Sequence, residues 1–146
     1  MVEEFSSERQ LVAGLRARVS AAELGAFFGR AMQAAAAAGE LIDGPATAVY
    51  HEDAGDAFDV TIGFPVSAEP DPALGLDLAA LPAGPALRIT HTGPYGTLGE
   101  AYRALEAELG RRGLQRTLSW ESYLVGPADE PDPAAWTTEV GVPLGG

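Results

Sequence analysis

The segment Phe58-Asp-Val-Thr-Ile-Gly-Phe-Pro-Val66 reads like Trp136-Thr-Thr-Glu-Val-Gly-Val-Pro-Leu144, so the chain writes one strand pattern twice. Each copy closes a half-chain that opens on a strand-like run and passes through one helix. The duplication reaches into the helices, because Leu24-Gly25 and Gly39 align with Leu98-Gly99 and Gly113 at one constant offset. Two copies are too few for a solenoid, in which each repeat is covered only by its neighbours. The halves must therefore bury their apolar faces against each other in one domain, and the seam between them is the first place to look for a site.

Periodicity fills in the elements. Leu11, Ala13, Leu15, Ala17 and Val19 are apolar at every second position over residues 11–19, with Arg16 and Arg18 alternating with them, the period of a half-buried strand. Ser20-Ala-Ala-Glu23 has the form of a capping box, and an apolar stripe at Leu24, Phe27, Phe28, Ala31 and Ala35 predicts a helix over 21–38 stopped by Gly39. Residues 47–51 read as a second strand. A turn at Glu52-Asp-Ala-Gly-Asp56 then leads into the alternating run Phe58, Val60, Ile62, Phe64, Val66, making a hairpin. The second half repeats the order: a strand through Leu87, Ile89 and His91, and a helix with Leu98, Ala101, Tyr102, Leu105 and Leu109 on its buried face. Thr97-Leu-Gly-Glu100 is its possible capping box, and strands at 119–125 and 136–144 follow. The reading is an α+β domain of duplicated β-α-β-β modules, with two main helices on one face of an antiparallel sheet and a cleft between the halves. One domain spans 1–146, with pseudo-repeats at 10–67 and 86–146. The linker, 68–85, is rich in Pro, Gly, Ala and Asp and has one short helical turn near 76–81.

Composition narrows the function. The formal charge of −12 comes from 21 acids against nine arginines and no lysine, a field that repels phosphate backbones and anionic lipid surfaces. Direct nucleic-acid and membrane partners are not expected, whereas a cationic or neutral ligand suits the charge, as does a plain solubility role. With no cysteine, and only His51 and His91 as imidazoles, neither a metal site nor a cofactor is expected. The acidic start, Met1-Val-Glu-Glu-Phe-Ser-Ser-Glu8, lacks the order of a signal peptide, so a cytoplasmic location is expected. Absence of lysine removes Schiff-base chemistry, and no nucleophile elbow, phosphate loop or dinucleotide fingerprint occurs.

Chemistry concentrates on residues 119–125. Period-two geometry puts Glu121 and Tyr123 on one face, with Trp120, Ser122 and Leu124 on the other. If the Glu121 face meets the core, its carboxylate is walled by aromatic rings and desolvation disfavours its charge until a cation restores it. If not, Glu121 is an exposed strand residue on an acidic protein. Glu139 is out of step with the apolar series of its strand and reads as solvent-facing. Tyr50, Tyr95, Tyr102, Tyr123, Trp120 and Trp136 all fall near strand ends or helix starts that flank the seam, where they serve as pocket walls or as core. Phe27, Phe58 and Phe64 read as core. His91 is either a base for a neighbouring hydroxyl or a structural histidine.

Taken together and in order, Leu81-Pro-Ala-Gly84, His91-Thr-Gly-Pro-Tyr95, Trp120-Glu-Ser-Tyr123 and Trp136-Thr-Thr-Glu-Val-Gly-Val-Pro143 resemble the GyrI-like small-molecule-binding domain. That domain is also the effector-binding part of AraC- and MerR-type multidrug-responsive transcription regulators. The resemblance implies a glutamate at the floor of an aromatic pocket that pairs with lipophilic cations, and Glu121 stands at that position. It places Tyr123, Tyr95 and Trp136 around the pocket, with Tyr50 as the first half's counterpart. Residues 1–10 cannot form a helix-turn-helix, so a stand-alone module is expected.

Three functions follow from the resemblance. The first is capture of hydrophobic, often cationic aromatic small molecules. The second is hydrolysis of electrophilic cyclopropane-bearing natural products in the same pocket, with Glu121 as base and Tyr123 bonding the substrate carbonyl. The third is a gyrase-interacting, inhibitor-like role involving a protein partner. Either a monomer or a homodimer is compatible with the sequence.

Overall fold

The computed structural model describes residues 1–54 and 57–145, with backbone only for 52–54; of the turn expected at Glu52–Asp56, residues 52–54 instead prolong the second strand and Gly55-Asp56 lie outside the described residues. The elements are β1 (Glu3–Ser7), β2 (Gln10–Ser20), α1 (Ala21–Ala35), β3 (Thr47–Ala54), β4 (Ala57–Val66), β5 (Asp77–Leu81), β6 (Gly84–Thr92), α2 (Leu98–Arg111), β7 (Ser119–Val125) and β8 (Thr137–Pro143). All eight strands join one antiparallel sheet in the order β1-β6-β8-β7-β3-β4-β2-β5. The α+β class and the two helices agree with the sequence reading, and no helix among the described residues is long and apolar enough to cross a membrane.

Two strands were not foreseen. β1 has no periodic signature, and β5 occupies the stretch expected to hold a helical turn; the short 3-10 turn lies earlier, at Pro72–Leu74. Pairing with β2 overrides the helical preference of the two alanines in Asp77-Leu-Ala-Ala-Leu81, because an extended chain buries Ala79 and Leu81 together on one side. β1 and β5 also explain the sheet's shape. β1 precedes β2 yet pairs with β6, and β5 precedes β6 yet pairs with β2. Each half thus lends its leading strand to the other, which ties the two ends of the sheet together.

The α1 start is as expected: Ser20 Oγ accepts the Glu23 backbone N–H at 3.3 Å and Glu23 Oε1 accepts the Ser20 N–H at 2.9 Å. From Ala36 the helix tightens into a 3-10 segment, Ala36–Leu41, and Gly39, the expected stop, breaks it with a positive φ of 56°. At α2 the expected capping box does not form. Thr97 Oγ1 instead donates to the Pro94 carbonyl at 2.9 Å and meets His91 Nε2 at 2.8 Å, so the helix is entered through a 3-10 turn at Tyr95–Thr97.

Helix α1 lays Phe27 and Ala31 on Val19, Val60 and Ile62, covering β2 and β4. Helix α2 lays Leu98, Ala101, Leu105 and Leu109 on Leu87, Val140 and Val142, covering β6 and β8. On the opposite face Trp120, 3 % exposed, packs with Val12, Val49, Ala79, Leu81 and Ala86. The first residues of β7, Ser119, Trp120 and Glu121, are therefore buried.

The duplicated glycines have different structural reasons. At Gly63 a Cβ would lie 1.9 Å from the Ala13 carbonyl oxygen, where β4 and β2 pass Gly14 against Gly63. At Gly141 it would lie 2.3 Å from Trp120 Cε2. A methyl at Gly141 collides with a rigid buried indole, so Gly141→Ala should destabilise the fold by about 1–3 kcal/mol, read as a lower urea midpoint at unchanged slope. Wild-type stability in that variant would contradict the packing described.

Candidate functional site

Because α1 sits on β2 and β4, and α2 on β6 and β8, the central pair β3–β7 lies open between the helices. Its register places Thr47 against Ser122, Ala48 against Glu121, Val49 against Trp120 and Tyr50 against Ser119. Aligned as repeats, Thr47-Ala-Val-Tyr50 corresponds to Trp120-Glu-Ser-Tyr123, so Ala48 and Glu121 are both equivalent positions and direct cross-strand partners. Only a residue pair on the pseudo-two-fold axis can be both. Glu121 consequently rises from the axis itself, and the small Ala48 opposite leaves room for its carboxylate.

A cavity of about 700 Å³ stands over this point. Each helix contributes the same motif: Leu24, Gly25 and Phe28 from α1, and Leu98, Gly99 and Tyr102 from α2. Ala21 and Tyr95 mark the two helix entries, while Tyr50 and Tyr123 rise from the two central strands. Phe58, Arg116 and Pro127 complete the wall.

Glu121 is only 6 % exposed. Tyr123 donates its hydroxyl to Oε1 at 2.7 Å and Tyr102 donates to Oε2, so each carboxylate oxygen holds one phenol. No arginine or histidine among the described residues pairs with Glu121. Burial drives its carboxyl above the ordinary glutamate range, and the two hydroxyl donors oppose that shift by stabilising the ionised form. The phenols are pushed the other way from reactivity: burial, then the neighbouring Glu121 charge, raises both Tyr102 and Tyr123. Both remain protonated donors near neutrality, unsuited to act as phenolate bases.

The aromatic walls interlock by edges. Phe28 meets Tyr123 at 5.4 Å between centroids, Tyr95 meets Tyr123 at 5.7 Å, and Tyr50 meets Phe58 at 5.8 Å, all near perpendicular. The Arg116 guanidinium lies 5.4 Å over the Tyr102 ring and is bonded to Glu106 at 3.1 Å.

Of the residues singled out in the sequence, Glu121, Tyr123, Tyr95 and Tyr50 line one cavity. Trp136 is set one layer back: it stacks on Tyr95 at 4.8 Å and its indole N–H donates to the Glu130 carbonyl at 2.7 Å. Phe58, expected in the core, lines the cavity, where its ring meets Tyr50 edge-on. His91 meets Thr97 and is not among the lining residues. Sequence reasoning gave Phe28 and Tyr102 to the helices' buried stripes, although Tyr102 was also among the seam aromatics. The available signal was their equivalence, since both stand three residues after the repeated Leu-Gly. Among the described residues no three acidic or imidazole groups are placed to hold a metal ion.

Residues 4–144 match the GyrI-like small molecule binding domain. Comparison with curated proteins returned no match. Among solved structures, the EcmrR C-terminal domain superposes with a TM-score of 0.76 at 23 % identity, covering 98 % of this chain and 96 % of that one. In the EcmrR–DNA complex the corresponding values are 0.79 and 22 %, and this chain spans only 56 % of the EcmrR chain. SAV2435 bound to tetraphenylphosphonium superposes with a TM-score of 0.73 at 11 % identity, covering 100 % of this chain and 94 % of that one. A hydrolase from Listeria innocua gives 0.68 at 13 % identity, with 97 % and 90 % covered. At these identities the structures share a fold, and the family rests on the match across nearly the whole chain: the protein belongs to the GyrI-like small molecule binding domain family.

Proposed function

We propose that this protein binds hydrophobic aromatic cations, with Glu121 as counter-charge and Tyr50, Tyr95, Tyr102, Tyr123, Phe28 and Phe58 as the surrounding walls. The observation that carries the proposal is a buried carboxylate that has no cationic partner among the described residues and faces an aromatic cavity. Taking such a charge from water is unfavourable, and two phenols compensate only in part. A cation about 4 Å away supplies the missing partner, worth about 4 kcal/mol at an effective dielectric of about 20. Aromatic faces add about 0.5–2 kcal/mol each by cation–π attraction. Because both carboxylate oxygens already accept a hydroxyl, the site offers charge and ring faces more readily than a new hydrogen bond, which favours diffuse cations. That SAV2435, of the same fold, was solved with tetraphenylphosphonium lends support. The binding domain acts in the cytoplasm, alone or beside a partner that reads its occupancy.

Hydrolysis is the second reading, favoured by a carboxyl of raised affinity for protons inside a cavity and by the Listeria hydrolase of the same fold. Glu121 is its base. Equal decay of a cyclopropane-bearing electrophile with wild type and Glu121→Gln would dismiss it.

Calorimetric titration with tetraphenylphosphonium tests the binding proposal. Glu121→Gln should weaken affinity about tenfold to a hundredfold, equivalent to about 1.4–2.7 kcal/mol; unchanged affinity would refute it.

The pH dependence has a definite sign. A cation stabilises ionised Glu121, so binding releases protons, and affinity climbs as pH rises through the free-state pKa before levelling. Tyr102→Phe or Tyr123→Phe removes one donor to the carboxylate and should move that climb to higher pH, while Glu121→Gln should abolish it. Stability follows the same linkage: the folded pKa is raised, so stability is fullest when Glu121 is protonated and declines as pH rises through that pKa. Denaturation midpoints of wild type and Glu121→Gln across this range should diverge accordingly, and parallel curves would contradict the assignment.

A further inference from the structure

We infer that the cavity is built for a two-armed cation: a ligand with its charge at the centre and one apolar arm on each side, each arm lying against one helix. The inference rests on the cation-binding reading above and specifies the ligand's shape. Its starting point is where the charge sits. Glu121 and Ala48 are cross-strand partners on the pseudo-two-fold axis, so the single carboxylate stands midway between two lobes instead of at the end of one.

The lobes are built alike. One is lined by Leu24, Gly25 and Phe28 of α1, with Tyr123 edge-on to Phe28 at 5.4 Å, and the other by Leu98, Gly99 and Tyr102 of α2. In both, a helical position is taken by glycine: Gly25 lies one turn into α1, where it costs about 1 kcal/mol relative to alanine, and Gly99 is the second residue of α2. Packing does not demand it. A Cβ at Gly25 would meet nothing within 4 Å, and one at Gly99 only the flexible end of Arg103 at 3.4 Å. The glycines are therefore tolerated for open space above the cavity, and that space occurs twice, once on each side of the carboxylate. A one-armed cation with its charge at one end fills one lobe and leaves the other wet. A two-armed cation keeps its charge over Glu121 and desolvates both.

Two isomeric probes separate shape from greasiness. Dibenzyldimethylammonium and (4-biphenylylmethyl)trimethylammonium have the same formula and charge, but the first carries a ring on each side of nitrogen and the second carries both rings on one arm. Titrated against the full chain, the dibenzyl isomer should bind at least about tenfold more tightly. Gly25→Leu and Gly99→Leu, which put a good helix former into open space, should each weaken the dibenzyl isomer by about tenfold or more. The biphenylyl isomer should respond to no more than one of them. Equal affinities, tighter binding of the biphenylyl isomer, or sensitivity of the dibenzyl isomer to only one glycine would overturn the two-armed assignment while leaving cation binding intact. If neither isomer nor tetraphenylphosphonium binds below the millimolar range, the cation-binding reading itself falls and this inference falls with it.

Discussion

The pairing of β3 with β7 is the constraint on which the rest of the domain depends. It joins the two halves at the middle of the sheet, and its register decides what lies on the axis between them. Each helix is anchored to strands of its own half, so neither covers the central pair. A gap between the helices is thus a direct product of duplication, and the strands beneath it supply its floor. The reverse face cannot stay open as well. Trp120 and the exchanged edge strands β1 and β5 fill it, so that β7 buries Trp120 on one face and reaches the cavity with the other.

Within this symmetric frame the halves have diverged where charge matters. Phe28 corresponds to Tyr102 and Ala48 to Glu121, so the second half holds the carboxylate and both hydroxyls that donate to it. The arrangement holds a carboxylate in a place where its charge is disfavoured, with phenols that burial keeps from ionising. Such a site is poised to gain from a positive ligand, because the desolvation of the carboxylate has already occurred on folding.

Much of this was legible in the sequence. The repeated Gly-x-Pro strands gave the duplication, alternation gave the strands of each half, and Trp120-Glu-Ser-Tyr123 held the carboxylate together with one of its donors. What escaped shares one cause: dependence on specific contacts that periodicity does not encode. β5 is a strand because β2 lies beside it, and its alanines show no local sign of this. Thr97 looks like a cap until His91 and Pro94 claim its hydroxyl. Tyr102 and Phe28 fit an apolar stripe as well as a cavity wall, and only their common place after the repeated Leu-Gly distinguishes them. Trp136 carries the sequence of a pocket residue, yet its indole N–H is satisfied by the Glu130 carbonyl, which holds the ring behind Tyr95.

The account stands on the ionisation of one carboxyl and its response to a cation. Carbon-13 NMR of the Glu121 side-chain carboxyl, followed through a pH titration with and without tetraphenylphosphonium, reads this directly. The free protein should titrate above the ordinary glutamate range, and the cation should move the transition to lower pH. A free-state transition in the ordinary range, or one that the bound cation leaves in place, would contradict the account.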